Sequence, residues 1–186
     1  METMNTLGTI RTASGRLVQP AAVAPGEIDI TDLAHALSQQ CRFGGHTDRF
    51  YSVAQHSVAV SRLAAGVEPT AGLWGLLHDA SEAYLVDLPQ PLKVLPAFAG
   101  YRAIEADVQA RIYARFGLTG AVPDVVHWAD EQQLAIEFRD LMPARAGDAW
   151  AAEAAGAAPL KPMRPRTAKA AFLQRFLELV SIGGLA

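Results

Sequence analysis

The sequence predicts an all-α fold, and three observations carry that expectation. Apolar residues recur at spacings of three and four through most of the chain after residue 50. The runs are separated by glycine and proline, which end helices by freeing or fixing the backbone. Alternation of the kind a half-buried strand needs is confined to one short N-terminal stretch, TIRTASGRLVQP. That stretch turns on Ser14-Gly15 and leaves room for a small β-hairpin. Pro20, Pro25 and Gly26 interrupt the chain after it. Asp29 or Thr31 is placed to cap a helix from Asp32 to Gln40, because a short side-chain oxygen satisfies free amides of a first turn. Gly44-Gly45 sets the next segment, CRFGGHTDRF, in a loop.

From Ser52 the spacing is helical, with Val53, His56, Val60 and Leu63 on one stripe and a stop at Gly66 and Pro69. Thr70 is the expected cap of one helix carrying Leu73, Leu76, Leu77, Ala80 and Tyr84. Asp87-Leu88-Pro89 and Pro91 mark a loop. A helix over Tyr101–Phe116 points Ile104, Val108 and Ile112 inward and stops at Gly117. Another runs from Asp124, after Pro123, to Leu141. The Ala-, Gly- and Pro-rich stretch near Ala144 to Pro165 reads as loop or a short surface helix. A last helix over Thr167–Ile182 buries Phe172, Phe176 and Leu179.

The 186 residues read as one domain, 1–186, with ample core from a hydrophobic fraction of 51%. A net charge of -3 argues against polymeric nucleic acid as a partner, while 16 Lys and Arg still allow a local basic pocket. The single cysteine, Cys41, excludes an intrachain disulfide framework and fits a reducing cytoplasm. No stretch has the length and apolarity of a membrane span. METMNTLGTIRTASG lacks the basic start and apolar run of a signal peptide. The expectation is therefore a cytoplasmic protein without a membrane partner.

Four residues of metal-ligand type stand in helical stretches: His56, His78-Asp79 and Asp130. A lone histidine on an apolar stripe is more often a core residue. His78-Asp79 shifts that balance, because two ionisable groups end the apolar run Leu76-Leu77. Glu82 stands four residues after His78, so all three can face one cleft of a helix. Asp130 shares a helix stripe with Leu134, Glu137 and Leu141 and points inward. Burying such groups unpaired costs several kcal/mol per ion, roughly, and a cation compensates for it. Imidazoles with carboxylates suit a divalent transition metal: cobalt, manganese, zinc, iron or nickel. Such an ion acidifies water and polarises phosphoryl oxygens. His46, in the glycine-rich loop, is a further candidate for phosphate.

The order H…HD…D, with YSVAQHSVAVS, HDASEAYLVDLPQPLK and YRAIEADVQARI around it, resembles the HD-domain metal-dependent phosphohydrolases. The similarity is to the small 5'-deoxynucleotidase-like branch and covers about Arg42 to Leu141. It implies a compact HD-domain helical bundle. It implies metal ligation by His56, His78, Asp79 and Asp130, water handling by Glu82, and proton or water positioning by Asp87. Arg42 and Lys93 would hold phosphate, and Phe43 would pack near the sugar or base, where the branch often has Trp. The implied function is phosphate removal from 5'-deoxynucleotides, the monophosphate favoured because one Arg and one Lys are few cations for three phosphates. The implied partners are a small nucleotide and a second copy of the chain. One metal is expected, with space for a second. Three other readings stay open: a deoxynucleoside triphosphate phosphohydrolase, a cyclic or signalling nucleotide phosphodiesterase, and a non-catalytic metal-stabilised nucleotide-binding module.

Overall fold

A short hairpin opens the described chain, which in the computed structural model comprises residues 8–143, 149, 154 and 156–182. β1 (Ile10–Arg11) pairs antiparallel with β2 (Leu17–Val18), Ile10 opposite Val18. Gly15 takes the positive φ of 89° that the turn needs. Asp32 pins the hairpin to the first helix, accepting from the Ser14 amide and hydroxyl at 2.7 Å each. Among the described residues, everything after the hairpin is helical or irregular apart from one isolated antiparallel bridge between Cys41 and Ser52.

α1 (Ile30–Gln39) is capped by Asp29, whose carboxylate accepts from the Thr31 amide, so Asp29 rather than Thr31 is the cap. α2 (Val53–Val67) is capped by the Ser52 hydroxyl and lies at the centre of the molecule, against α1 and three later helices. These are α3 (Gly72–Leu77), α7 (Asp124–Leu141) and α8 (Pro165–Ile182). Leu33, Leu37, Val53, Ala54, Leu76, Leu77 and Phe172 form the main core between these helices. Full burial of one such leucine is worth about 1.5–3 kcal/mol. A smaller cluster joins Val60, Ala64 and Trp74 to Val126 and Ala129, which fixes α7 against α2. Among the described residues no helix is long and apolar enough to cross a membrane.

The structure departs from the expected elements in three places. Thr70 is not a cap; it lies in a 3-10 turn, Pro69–Ala71, and its hydroxyl bonds the Glu68 carboxylate. The single helix expected from Leu73 to Tyr84 is two, α3 and α4 (Glu82–Leu85), separated by a tight turn over 78–81. Gln109 stabilises that break, because its side chain donates to Leu77 O at 2.7 Å and accepts from Ser81 N at 3.0 Å. It comes from α6 (Ala99–Arg115), which comes after the short α5 (Gln90–Lys93). On α6, Val108 and Ile112 are buried but Ile104 is 39% exposed, so it does not point inward. Of the connector expected near Ala144 to Pro165, residues 144–148, 150–153 and 155 lie outside the described residues, and the stretch 156–164 is irregular.

Candidate metal centre

Each ligand-type side chain is delivered by a different local device. His56 sits one turn into α2 on the buried stripe and has no exposure. His78 and Asp79 begin the turn after α3. That turn reaches α2 because Gly75 permits close contact: a Cβ there would stand 3.1 Å from Ser61 Cα. Asp130 comes from α7, with its side chain 43% exposed on the open side of the cluster.

His56, His78 and Asp79 offer ligand atoms close enough to share one ion, and Asp130 borders them. His56 Nε2 lies 3.2 Å from His78 Nε2, 3.1 Å from Asp130 Oδ1 and 3.5 Å from Asp79 Oδ2. His78 Nε2 lies 3.2 Å from Asp79 Oδ2 and 3.8 Å from Asp130 Oδ1. Ligands bonded at about 2.0–2.1 Å to one ion stand about 2.8–3.4 Å apart in tetrahedral or octahedral geometry. The His56, His78 and Asp79 cluster can therefore hold a metal ion.

Both imidazoles are oriented from behind. His56 Nδ1 donates to Glu137 Oε1 at 2.7 Å, and His78 Nδ1 donates to Gly75 O at 2.8 Å. With Nδ1 carrying the proton in each ring, each Nε2 presents a lone pair to the same space. Two lone pairs at 3.2 Å repel unless a proton or a cation lies between them. The electrostatics of the site set up the same competition. Burial and Arg42 oppose a proton on His56, but Glu137 and Asp130 outweigh them and its affinity rises. Burial opposes one on His78, and Asp79 with Asp130 raises its affinity well above the usual range. Burial works against the Asp79 and Asp130 carboxylates, yet the two histidines hold both far below the ordinary value.

Glu82, which the helix spacing placed on the same face as His78, reaches the site through the turn instead. Its residue is 4% exposed, and Oε2 has no hydrogen-bond partner among the described residues. Burial, Asp79 and Asp87 together raise its proton affinity well above an ordinary glutamate. Asp87 lies within electrostatic reach of Arg42, Asp79, Lys93 and His56, and burial raises its proton affinity as well.

The expected phosphate cations are already engaged. Arg42 donates through Nε to Glu137 Oε2 at 3.0 Å and through Nη1 to Asp79 Oδ2 at 3.4 Å. Lys93 bonds Glu105 Oε1 at 2.7 Å and Glu82 Oε1 at 3.4 Å. Phe43, at a φ of 56° in a turn over Arg42–Gly45, meets the Phe138 ring edge-on at 5.3 Å and lies under the Arg42 guanidinium. His46 is exposed at the end of that turn and, among the described residues, makes no hydrogen bond or ion pair with the cluster. The structure thus brings together His56, His78, Asp79, Asp130, Glu82, Asp87, Arg42 and Lys93, and leaves His46 apart.

Two carboxylates escaped the sequence reading as site residues. Glu137 is fully buried and holds both His56 and Arg42. Its signal was a carboxylate two helical turns after Asp130 in an apolar stretch. Glu105 shows no local signal; only the fold places it against Lys93.

No family model matches the chain. The uncharacterized protein YfdR of Escherichia coli K12 is 41% identical over 132 residues, 71% of each chain. The chain belongs to the family of YfdR. A second relative, an uncharacterized protein of Rhodobacter capsulatus, is 38% identical over 119 residues, covering 61% of this chain and 60% of that one.

Proposed function

We propose that this protein is a metal-dependent phosphohydrolase of the HD-domain type that removes phosphate from 5'-deoxynucleotides, with the monophosphate as preferred substrate. The observation that carries the reading is the pair of Nε2 lone pairs 3.2 Å apart, faced by two carboxylates and adjoined by a buried carboxylate with an unpartnered oxygen. A divalent cobalt, manganese, zinc, iron or nickel ion held by His56, His78, Asp79 and Asp130 would acidify water and polarise a phosphoryl oxygen. Phosphoryl transfer then asks the protein for alignment and proton handling rather than a covalent nucleophile.

Glu82 is suited to take the proton of the attacking water, because its burial keeps a proton bound more readily than an exposed glutamate would. Asp87 is suited to supply a proton to the ester oxygen as the phosphorus–oxygen bond breaks. Arg42 and Lys93 are each tied to two carboxylates. That leaves little cationic capacity for a triphosphate and supports the monophosphate. The lone cysteine fits a reducing cytoplasm as the place of action.

The test is a panel of deoxynucleoside mono-, di-, tri- and cyclic phosphates with metal-stripped protein and one ion restored at a time. Inorganic phosphate should appear from at least one deoxynucleoside monophosphate. A folded, metal-loaded protein that releases phosphate from no nucleotide would overturn the assignment.

A further inference from the structure

We propose that Gln40 and Tyr101 are positioning residues that hold Asp87 at the metal centre by keeping Val86 in a backbone conformation it would not adopt alone. Asp87's role in the inference rests on the phosphohydrolase reading; the clamp itself rests on geometry. Val86 has φ 66° and ψ 156°, a region that is essentially glycine's. It is β-branched and 60% exposed, so packing of its side chain does not compensate.

Five hydrogen bonds hold it there. The Gln40 side chain donates to Glu82 O at 2.8 Å and accepts from Asp87 N at 3.0 Å, spanning the strained residue. Val86 N donates to the same Glu82 O at 2.9 Å. From the other side, the Tyr101 hydroxyl reaches Val86 O at 3.0 Å and Leu85 O at 3.3 Å. Gln40 is itself fixed to the helix of His56, because its carbonyl accepts from Val53 N at 3.2 Å. A single residue therefore links the start of the first-histidine helix, the backbone of Glu82 and the backbone of Asp87. Tyr101 belongs to α6, which also carries Glu105, the partner of Lys93. Without the clamp, Val86 returns to an extended conformation and turns Asp87 away.

Four proteins test this: Gln40→Leu, Tyr101→Phe, and each combined with Val86→Gly, which takes the observed φ without strain. Gln40→Leu should lower kcat on the order of 10²-fold, the effect of about 1 Å of misplacement, with KM and metal content near wild type. Tyr101→Phe, which keeps its ring and its packing, should lower kcat in the same way but less. Val86→Gly should restore much of the lost kcat in both backgrounds when all four variants are assayed well below their Tm, where a difference in general stability leaves the folded fraction unchanged. Wild-type kcat in both single variants, or a deficit that Val86→Gly leaves unchanged, would overturn the clamp. If the wild type hydrolyses no nucleotide, the phosphohydrolase reading fails, and exchange of the Asp87 amide decides the clamp separately. That amide should be protected in wild type and lose protection in Gln40→Leu; equal exchange in both would refute it.

Discussion

Replacing Glu137 by glutamine should weaken metal binding although Glu137 touches no metal. The fully buried carboxylate accepts from His56 Nδ1 at 2.7 Å, Arg42 Nε at 3.0 Å and Gln133 Nε2 at 3.2 Å. These three partners are all donors. A glutamine offers one oxygen and one NH2, so the NH2 must face either the Arg42 donor or both the His56 and Gln133 donors. If the NH2 faces His56, the imidazole must move its proton to Nε2 and lose the lone pair aimed at the metal. If it faces Arg42, a buried guanidinium keeps only Asp79, at 3.4 Å. Loss of a residue that orients a ligand typically lowers metal affinity about 10–100-fold, or about 1.4–2.7 kcal/mol. Removing one partner of a buried ion pair costs about 3–5 kcal/mol of stability. The lower end applies here, because Arg42 retains Asp79 and 12% exposure. Against a typical domain stability of about 5–15 kcal/mol, the variant should still fold. Calorimetric titration of metal-stripped protein with cobalt gives the affinity, and thermal unfolding gives the stability. An affinity within a factor of about two of wild type, with stability reduced, would refute the orienting role and leave Glu137 a structural residue.

Three further outcomes are expected. Glu82→Gln should keep metal stoichiometry while kcat falls about 10²–10⁴-fold, and loss of metal would instead make Glu82 a ligand. Gly75→Ala gains about 1 kcal/mol of helix propensity, but its Cβ would stand 3.1 Å from the Ser61 backbone, an overpacking of about 1–3 kcal/mol. The net should be a lower Tm and weaker metal binding as α3 is pushed from α2; unchanged affinity would show that the helix spacing does not set the site. Metal should also stabilise the protein more at about pH 8 than at about pH 6, as seen in the Tm gain on adding manganese or cobalt. His56 and His78 bind protons more tightly folded than unfolded. Their contribution to metal-free stability is therefore present below about pH 6.5 and is lost as pH rises through their raised values. Metal binding displaces those protons and gains as they leave, so an equal or smaller Tm gain at the higher pH would contradict the assignment.

The residues that converge on the centre were legible where an ionisable group interrupts a local apolar pattern. His56 in its stripe, His78-Asp79 after Leu76-Leu77 and Asp130 behind Trp128-Ala129 all have that signature. Helix limits came similarly from caps and breakers, and α7 begins and ends where Pro123 and Leu141 predict. Groups whose role depends on a distant partner were not legible. Glu137 and Arg42 are 95 positions apart, and Lys93 meets Glu105 from a separate helix. The helix break at 78–81 was hidden for the same reason, since Gln109 satisfies it from α6. At Glu82 the helix is interrupted, but the turn keeps the relation to the residue three positions back: Glu82 N donates to Asp79 O at 3.1 Å, and the two carboxylates stay within electrostatic reach.

The long-range pairs also explain why the expected phosphate-binding cations need not be free. Asp79, Glu82, Asp87, Glu105, Asp130 and Glu137 surround Arg42 and Lys93, so acidic groups outnumber basic ones at the centre. Such a site repels a phosphate in its own right. Part of the excess is relieved where Glu82 and Asp87 retain protons more readily than usual. A divalent cation at the His56, His78 and Asp79 cluster would offset the rest, with its charge concentrated near the two Nε2 atoms. On this reading Arg42 does not act as a freestanding phosphate anchor. It neutralises Asp79 and Glu137 from behind, which lets two more carboxylates approach the ligand set than a small buried cavity would otherwise tolerate. On the proposed function, metal occupancy would precede productive phosphate binding, because the electrostatics of the protein alone disfavour it.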